Sequence, residues 1–139
     1  MSNKRDLKLD SYDISTYRYR ELSNFCYQYP EWLRKLHEIN QEINIHSPSC
    51  EVASGNGSAD SKVEKMAIKA VDLKANIELI KKAALKAAGE DLAEYIILSV
   101  TTPEINYRYL STIKEIPCSR SAFFRIRRKF FYILAQLKG

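Results

Sequence analysis

Glycine and proline are scarce, with four of each in 139 residues, so the chain has few of the residues that punctuate strands and tight hairpins. No alternation of apolar and polar residues persists long enough to read as a strand; apolar residues recur instead at three- and four-residue intervals, which predicts an all-α fold. Cysteine is also sparse. Cys26, Cys50 and Cys118 are odd in number and show no C-x-x-C spacing, which excludes a disulfide framework and predicts reduced thiols. No apolar run approaches the roughly 20 residues that cross a bilayer, and the stretch Met1 to Asp10 lacks the apolar centre of a signal peptide. The expected location is cytoplasmic, with no membrane partner.

Histidine is limited to His37 and His46, and neither stands near a nucleophile motif. Neither phosphate-cradling pattern, G-x-x-x-x-G-K-S/T or G-x-G-x-x-G, occurs. No enzymatic activity and no cofactor are therefore expected. Cys26, His37, His46 and Cys50 lie 11, 9 and 4 positions apart, which fits no paired zinc-ligand spacing, so no metal site is expected either.

What the chain does have is a near-average apolar content of 45%, enough for one modest core, and an uneven charge. Residues 105 to 139 carry eight basic residues against the single acid Glu115, a net +7, so the preceding 104 residues carry −2 of the overall +5. Basic charge gathered at one end points to an anionic partner, with nucleic acid favoured over a membrane surface.

Three regions follow. Residues 1 to 14 read as an N-terminal tail, 15 to 104 as a helical packing or dimerisation region, and 105 to 139 as a basic unit. In the second region a helix is predicted from about Ser15 to Gln28, carrying Tyr19, Leu22, Cys26 and Tyr29. Pro30 interrupts it, and a second helix from near Glu31 places Trp32, Leu36, Ile39 and Ile43 on one face, making a short hairpin. The Ser-, Gly- and Asn-rich stretch at about 44 to 60 predicts a flexible loop.

Ser61-Lys62-Val63-Glu64 then fits a capping box and opens a long helix that Gly89 ends. Its seam places Val63, Ala70, Ile77 and Ala84 at one heptad position and Met66, Leu73, Ile80 and Ala87 at another. Two readings stay open: packing within the chain, or a homodimer through Val63, Met66, Ala70, Leu73, Ile77 and Ile80. A further helix is predicted from Glu90 to Thr101, with Thr102 capping the next and Pro103 at its first position.

In the basic unit a helix from about Ile105 to Glu115 is followed by a turn at Ile116-Pro117-Cys118. Ser119 then caps a helix that runs to about Lys138. Helix, short turn and longer basic helix is the layout of a C-terminal helix-turn-helix. Phe123, Ile126, Phe130, Ile133, Leu134 and Leu137 form the core stripe; Phe124 and Phe131 stand at its border, placed to widen the core or meet a second subunit. The opposite face carries Arg120, Ser121, Arg125 and Arg128. In this motif the first turns of the second helix meet base edges, and flanking basic groups hold phosphates. Arg120, Ser121 and Arg125 are thus the expected base readers, and Arg108, Lys114, Ser119, Arg127, Arg128 and Lys129 the expected phosphate contacts.

The stretch Tyr109 to Leu134, Y-L-S-T-I-K-E-I-P-C-S-R-S-A-F-F-R-I-R-R-K-F-F-Y-I-L, resembles the C-terminal motif of phage transcriptional regulators of the RinA and ArpU type. Tyr19 to Trp32 is similar to an N-terminal motif of related phage proteins of Gram-positive hosts. The family motif falls on Ile116, Pro117, Ser119, Arg120, Phe123, Arg127, Arg128 and Lys129. The resemblance implies a helix-turn-helix activator of late phage genes, with double-stranded DNA upstream of packaging genes as target; on this reading the protein works in a bacterial cytoplasm, and its 15 to 100 portion packs, dimerises or meets host RNA polymerase. The alternative is a non-enzymatic adaptor or assembly protein that turns the same helix to a protein or RNA; burial of the Arg120, Arg125 and Arg128 face would favour it.

Overall fold

The computed structural model describes residues 14–46 and 57–139, and every regular element among them is a helix. The helices are α1 (Thr16–Tyr27), α2 (Tyr29–His46), α3 (Gly57–Ala88), α4 (Ala93–Thr101), α5 (Tyr107–Thr112) and α6 (Arg120–Lys138). The expected N-terminal tail, apart from Ile14, and residues 47–56 of the expected loop, Cys50 included, lie outside the described residues. None of the described helices is long and apolar enough to cross a membrane.

Two compact units arise. One is Pro30–Ile77; the other joins the described residues up to Tyr29 with Glu78–Gly139. In the first, Trp32 is buried and Leu36, Ile39 and Ile43 are half-buried on one face of α2, while Arg34, Glu38 and Gln41 face solvent. Two edges of the expected loop are helical: α2 continues through residue 46 and α3 begins at Gly57. Ser61 therefore stands a full turn inside α3 and does not cap it. Extending a helix adds one backbone bond per residue fixed, which is easier than starting it afresh, and residues 57–60 ride on the helix behind them.

The seam of α3 is covered within a single chain. Ala70, Leu73, Ile77, Ile80, Ala84 and Ala87 are all buried, and Val63 and Met66 are half-buried. Of the residues expected at a homodimer face, only Val63 and Met66 keep part of their surface open in the single chain. Gly89 ends α3 as expected: it takes a left-handed φ of +81°, and its N–H donates to the Leu85 carbonyl at 2.9 Å.

In the second unit α1, α4 and α6 pack mutually. Leu22 and Cys26 from α1, Ile96 and Val100 from α4, and Phe123, Phe130, Phe131 and Leu134 from α6 are all almost fully buried. Phe131 is thus core, the first of the two roles open to it. Two helix starts differ from expectation. Residues 90–92 form a turn after the left-handed Gly89, so α4 begins at Ala93. Thr102 is extended because it precedes Pro103, and α5 is capped by Asn106, whose side chain accepts from the Tyr109 N–H at 2.9 Å.

The helix before the turn is also shorter than the predicted span of Ile105 to Glu115. Pro117 disfavours a helical Ile116, and the chain leaves α5 after Thr112 through Glu115, which sits at φ 52°. Ile116 is buried and its N–H donates to the Leu110 carbonyl at 3.0 Å, which closes the turn. Ser119 caps α6 as expected, accepting from the Ala122 N–H at 3.2 Å.

A left-handed conformation costs a residue with a Cβ about 1–2 kcal/mol, and glycine's extra unfolded-state freedom offsets part of the gain from removing it. Glu115→Gly should raise stability by up to about 1 kcal/mol, read as a higher midpoint in thermal or urea unfolding. A lower midpoint would show that the turn is not strained there.

Candidate nucleic-acid interface

Helix α6 has two chemically distinct sides. The inner side is aromatic and apolar and contains one charge. Arg127 donates from Nε to Ser99 Oγ at 3.1 Å and from Nη1 to the Tyr19 hydroxyl at 3.1 Å, with its guanidinium 5.3 Å from the Phe131 ring centroid. Tyr19 meets the same Phe131 ring edge-on at 4.9 Å. One guanidinium thus ties α6 to α4 and α1 while its plane covers an aromatic face. Arg127 was expected at a phosphate; the structure turns it inward, because its place on the wheel lies between Leu134 and Phe131 at about 100° per residue.

The outer side is polar. Ser121, Arg125 and Lys129 are exposed, and Arg128 is half-exposed between them. Helix α6 contains no acidic residue, and among the described residues none of Arg125, Arg128 and Lys129 has a carboxylate partner. Arg120 is exposed at the first turn, 5.1 Å from the Phe124 ring centroid, so its guanidinium is steered along that ring. Ser119 spends its oxygen on the cap and lies 3.5 Å from the Ser121 hydroxyl. Farther along the same side, Gln136 Nε2 donates to the Tyr132 hydroxyl at 2.9 Å.

The preceding element adds to this side of the sequence. Arg108 on α5 and Lys114 in the 113–119 connection are exposed and have no acidic partner among the described residues. The connection spans seven residues, where the usual motif turns in about three or four. Its ends are pinned by the Tyr107 hydroxyl, which donates to the Cys118 carbonyl at 2.7 Å, and by the weaker Tyr95 hydroxyl contact with the Lys114 carbonyl at 3.5 Å.

Tyr19, Ser99 and Tyr107 were absent from the expected site. The inward place of Arg127 was readable from the helical wheel, but its partners stand 28 and 108 positions away, beyond what local spacing reveals. Near this cluster, burial pushes the Cys26 thiol up to about 12, and the charges of Arg127 and Lys138 only partly oppose it. Lys138 lies over Phe25 at 4.1 Å from the ring centroid. Among the described residues no group of three or more His, Cys, Asp and Glu side chains converges as a metal site would require. No family model, curated protein or solved structure matches the chain.

Arg127→Ala leaves two part-buried hydroxyls without their donor and should cost about 1–3 kcal/mol in urea unfolding. Arg127→Lys keeps the charge but loses the fork, so it should recover less than half of that loss; full recovery by lysine would mean that charge alone matters. In alkylation at pH 8 followed by mass spectrometry, Cys26 should stay unmodified until the chain unfolds, since only the thiolate reacts.

Proposed function

We propose that this chain is a sequence-specific DNA-binding transcriptional regulator of phage late or packaging genes, with α6 as its recognition helix. The observation that carries the reading is the outer side of α6: Ser121, Arg125, Arg128 and Lys129 stand exposed or half-exposed, with no carboxylate partner among the described residues, on a helix whose other side is locked into the core. The face whose burial would have favoured an adaptor is open: Arg120 and Arg125 are exposed and Arg128 is half-exposed.

The mechanism follows from side-chain chemistry. An α-helix fits the major groove, where the planar fork of Arg125 can bind the O6 and N7 edge of guanine and the Ser121 hydroxyl can serve either as donor or acceptor. Arg120, held along Phe124, is the third base reader. Arg128 and Lys129, with Arg108 and Lys114 from the preceding element, hold phosphates and fix the register. Arg127 is left out of the DNA set, because its Nε and Nη1 are engaged inside the fold by Ser99 and Tyr19. Host RNA polymerase would then be met by the region from 15 to 104.

Tiled fragments of the source genome, titrated at two salt concentrations, test this directly. Tight binding to one fragment that falls steeply with salt is expected. Arg128→Ala and Lys129→Ala should weaken binding to cognate and random DNA alike and lower the salt slope by about one each, whereas Arg125→Ala should cost about 1–3 kcal/mol on the cognate fragment alone. Weak binding uniform across all fragments would instead support the adaptor reading.

A further inference from the structure

The seven-residue connection between α5 and α6 is long for a motif in which the second helix must be aimed, so what fixes the start of α6 becomes a physical question. Backbone bonds within α6 do not reach it: the Cys118 carbonyl precedes the Ser119 cap and lies outside the helical ladder. That carbonyl accepts instead from the hydroxyl of Tyr107, the first residue of α5, at 2.7 Å. The Tyr107 ring lies 5.4 Å from that of Phe123, which is buried in the core from the first turn of α6. One side chain thus joins the first turns of both helices, through a hydrogen bond at its tip and ring contact along its body.

The placement matters because of its neighbours. Arg108 follows Tyr107 directly, and Arg120 and Ser121 come two and three residues after Cys118. We propose that the Tyr107 hydroxyl is a positioning and specificity-determining group: it holds Arg108 in register with the first turns of α6, so that phosphate and base contacts form together. This rests on the DNA-binding reading above. Phosphate attraction tolerates displacement, because it carries no sequence information, whereas a bidentate base contact needs fixed geometry. Loosening the latch should therefore erode discrimination and leave general attraction to DNA in place.

Tyr107→Phe tests this in the full chain, since it keeps the ring against Phe123 and removes only the hydroxyl. Amide hydrogen exchange reads the positioning and needs no DNA: exchange at 118–122 should rise several-fold while exchange at 130–137 stays as in the parent. Cognate affinity should fall about five- to tenfold, the effect of losing roughly one hydrogen bond, with random-DNA affinity and the salt slope unchanged. Unchanged exchange at 118–122 would overturn the latch whatever the DNA does. Faster exchange with equal losses on cognate and random DNA would overturn the specificity role. If the parent chain prefers no fragment, the DNA reading fails and the specificity role with it, while the exchange result still decides whether Tyr107 fixes the start of α6.

Discussion

The guanidinium of Arg127 is the point at which the larger unit converges. Arg127 is half-buried against the Phe131 ring, and a polar group partly withdrawn from water is better held where it finds hydrogen-bond partners. Ser99 and Tyr19 meet that demand from two other helices, so the arrangement of α1 and α4 around α6 is constrained by hydrogen-bond direction as well as by apolar burial. Arg18 adds a longer bond from α1 to the Ala135 carbonyl at 3.4 Å, while its other nitrogen pairs with Glu21 at 2.6 Å. Apolar packing alone would permit α6 to rotate; directional bonds to one side of it do not.

That constraint explains how one helix serves both packing and proposed recognition. Arg127 and Arg128 are adjacent, yet one is engaged inside and the other has no carboxylate partner among the described residues, since successive helical positions diverge by about 100°. The basic run at 125 to 129 is therefore two populations. Arg125, Arg128 and Lys129 contribute to the outward field, and Arg127 contributes to cohesion. A cluster of charge in a sequence says nothing about this division until the core side is identified.

Much of the fold was legible because its signals are local. The all-helical class, the left-handed glycine after α3, the serine cap of α6 and the apolar stripe through Phe123, Phe130 and Leu134 each depend on residues within a turn or two. The errors have a shared cause as well. Thr102 and Asn106 are both good caps and both are extended, and the proline after Thr102 suits a helix start, so local signals favour the earlier site; the chain closes the preceding helix at Thr102 and starts the next at Asn106. Glu115 has no preference for a left-handed conformation, so the early end of α5 reflects the needs of the turn into buried Ile116. The two readings of the α3 seam could not be separated by periodicity, because covering it within the chain and covering it with a second copy demand the same residues.

The bond between Tyr19 and Arg127 spans 108 positions, and that between Arg18 and Ala135 spans 117. Such separations make the larger unit a late event in synthesis. While the ribosome is still adding α4 and α5, α1 has neither the aromatic side of α6 to cover nor a guanidinium for its tyrosine, and Leu22 and Cys26 must wait with their apolar surfaces uncovered. Chains grow at about 5–20 residues per second, so the interval between the emergence of α1 and that of α6 is several seconds or longer. A nascent chain therefore cannot hold the basic face in its locked form until α6 has left the exit tunnel.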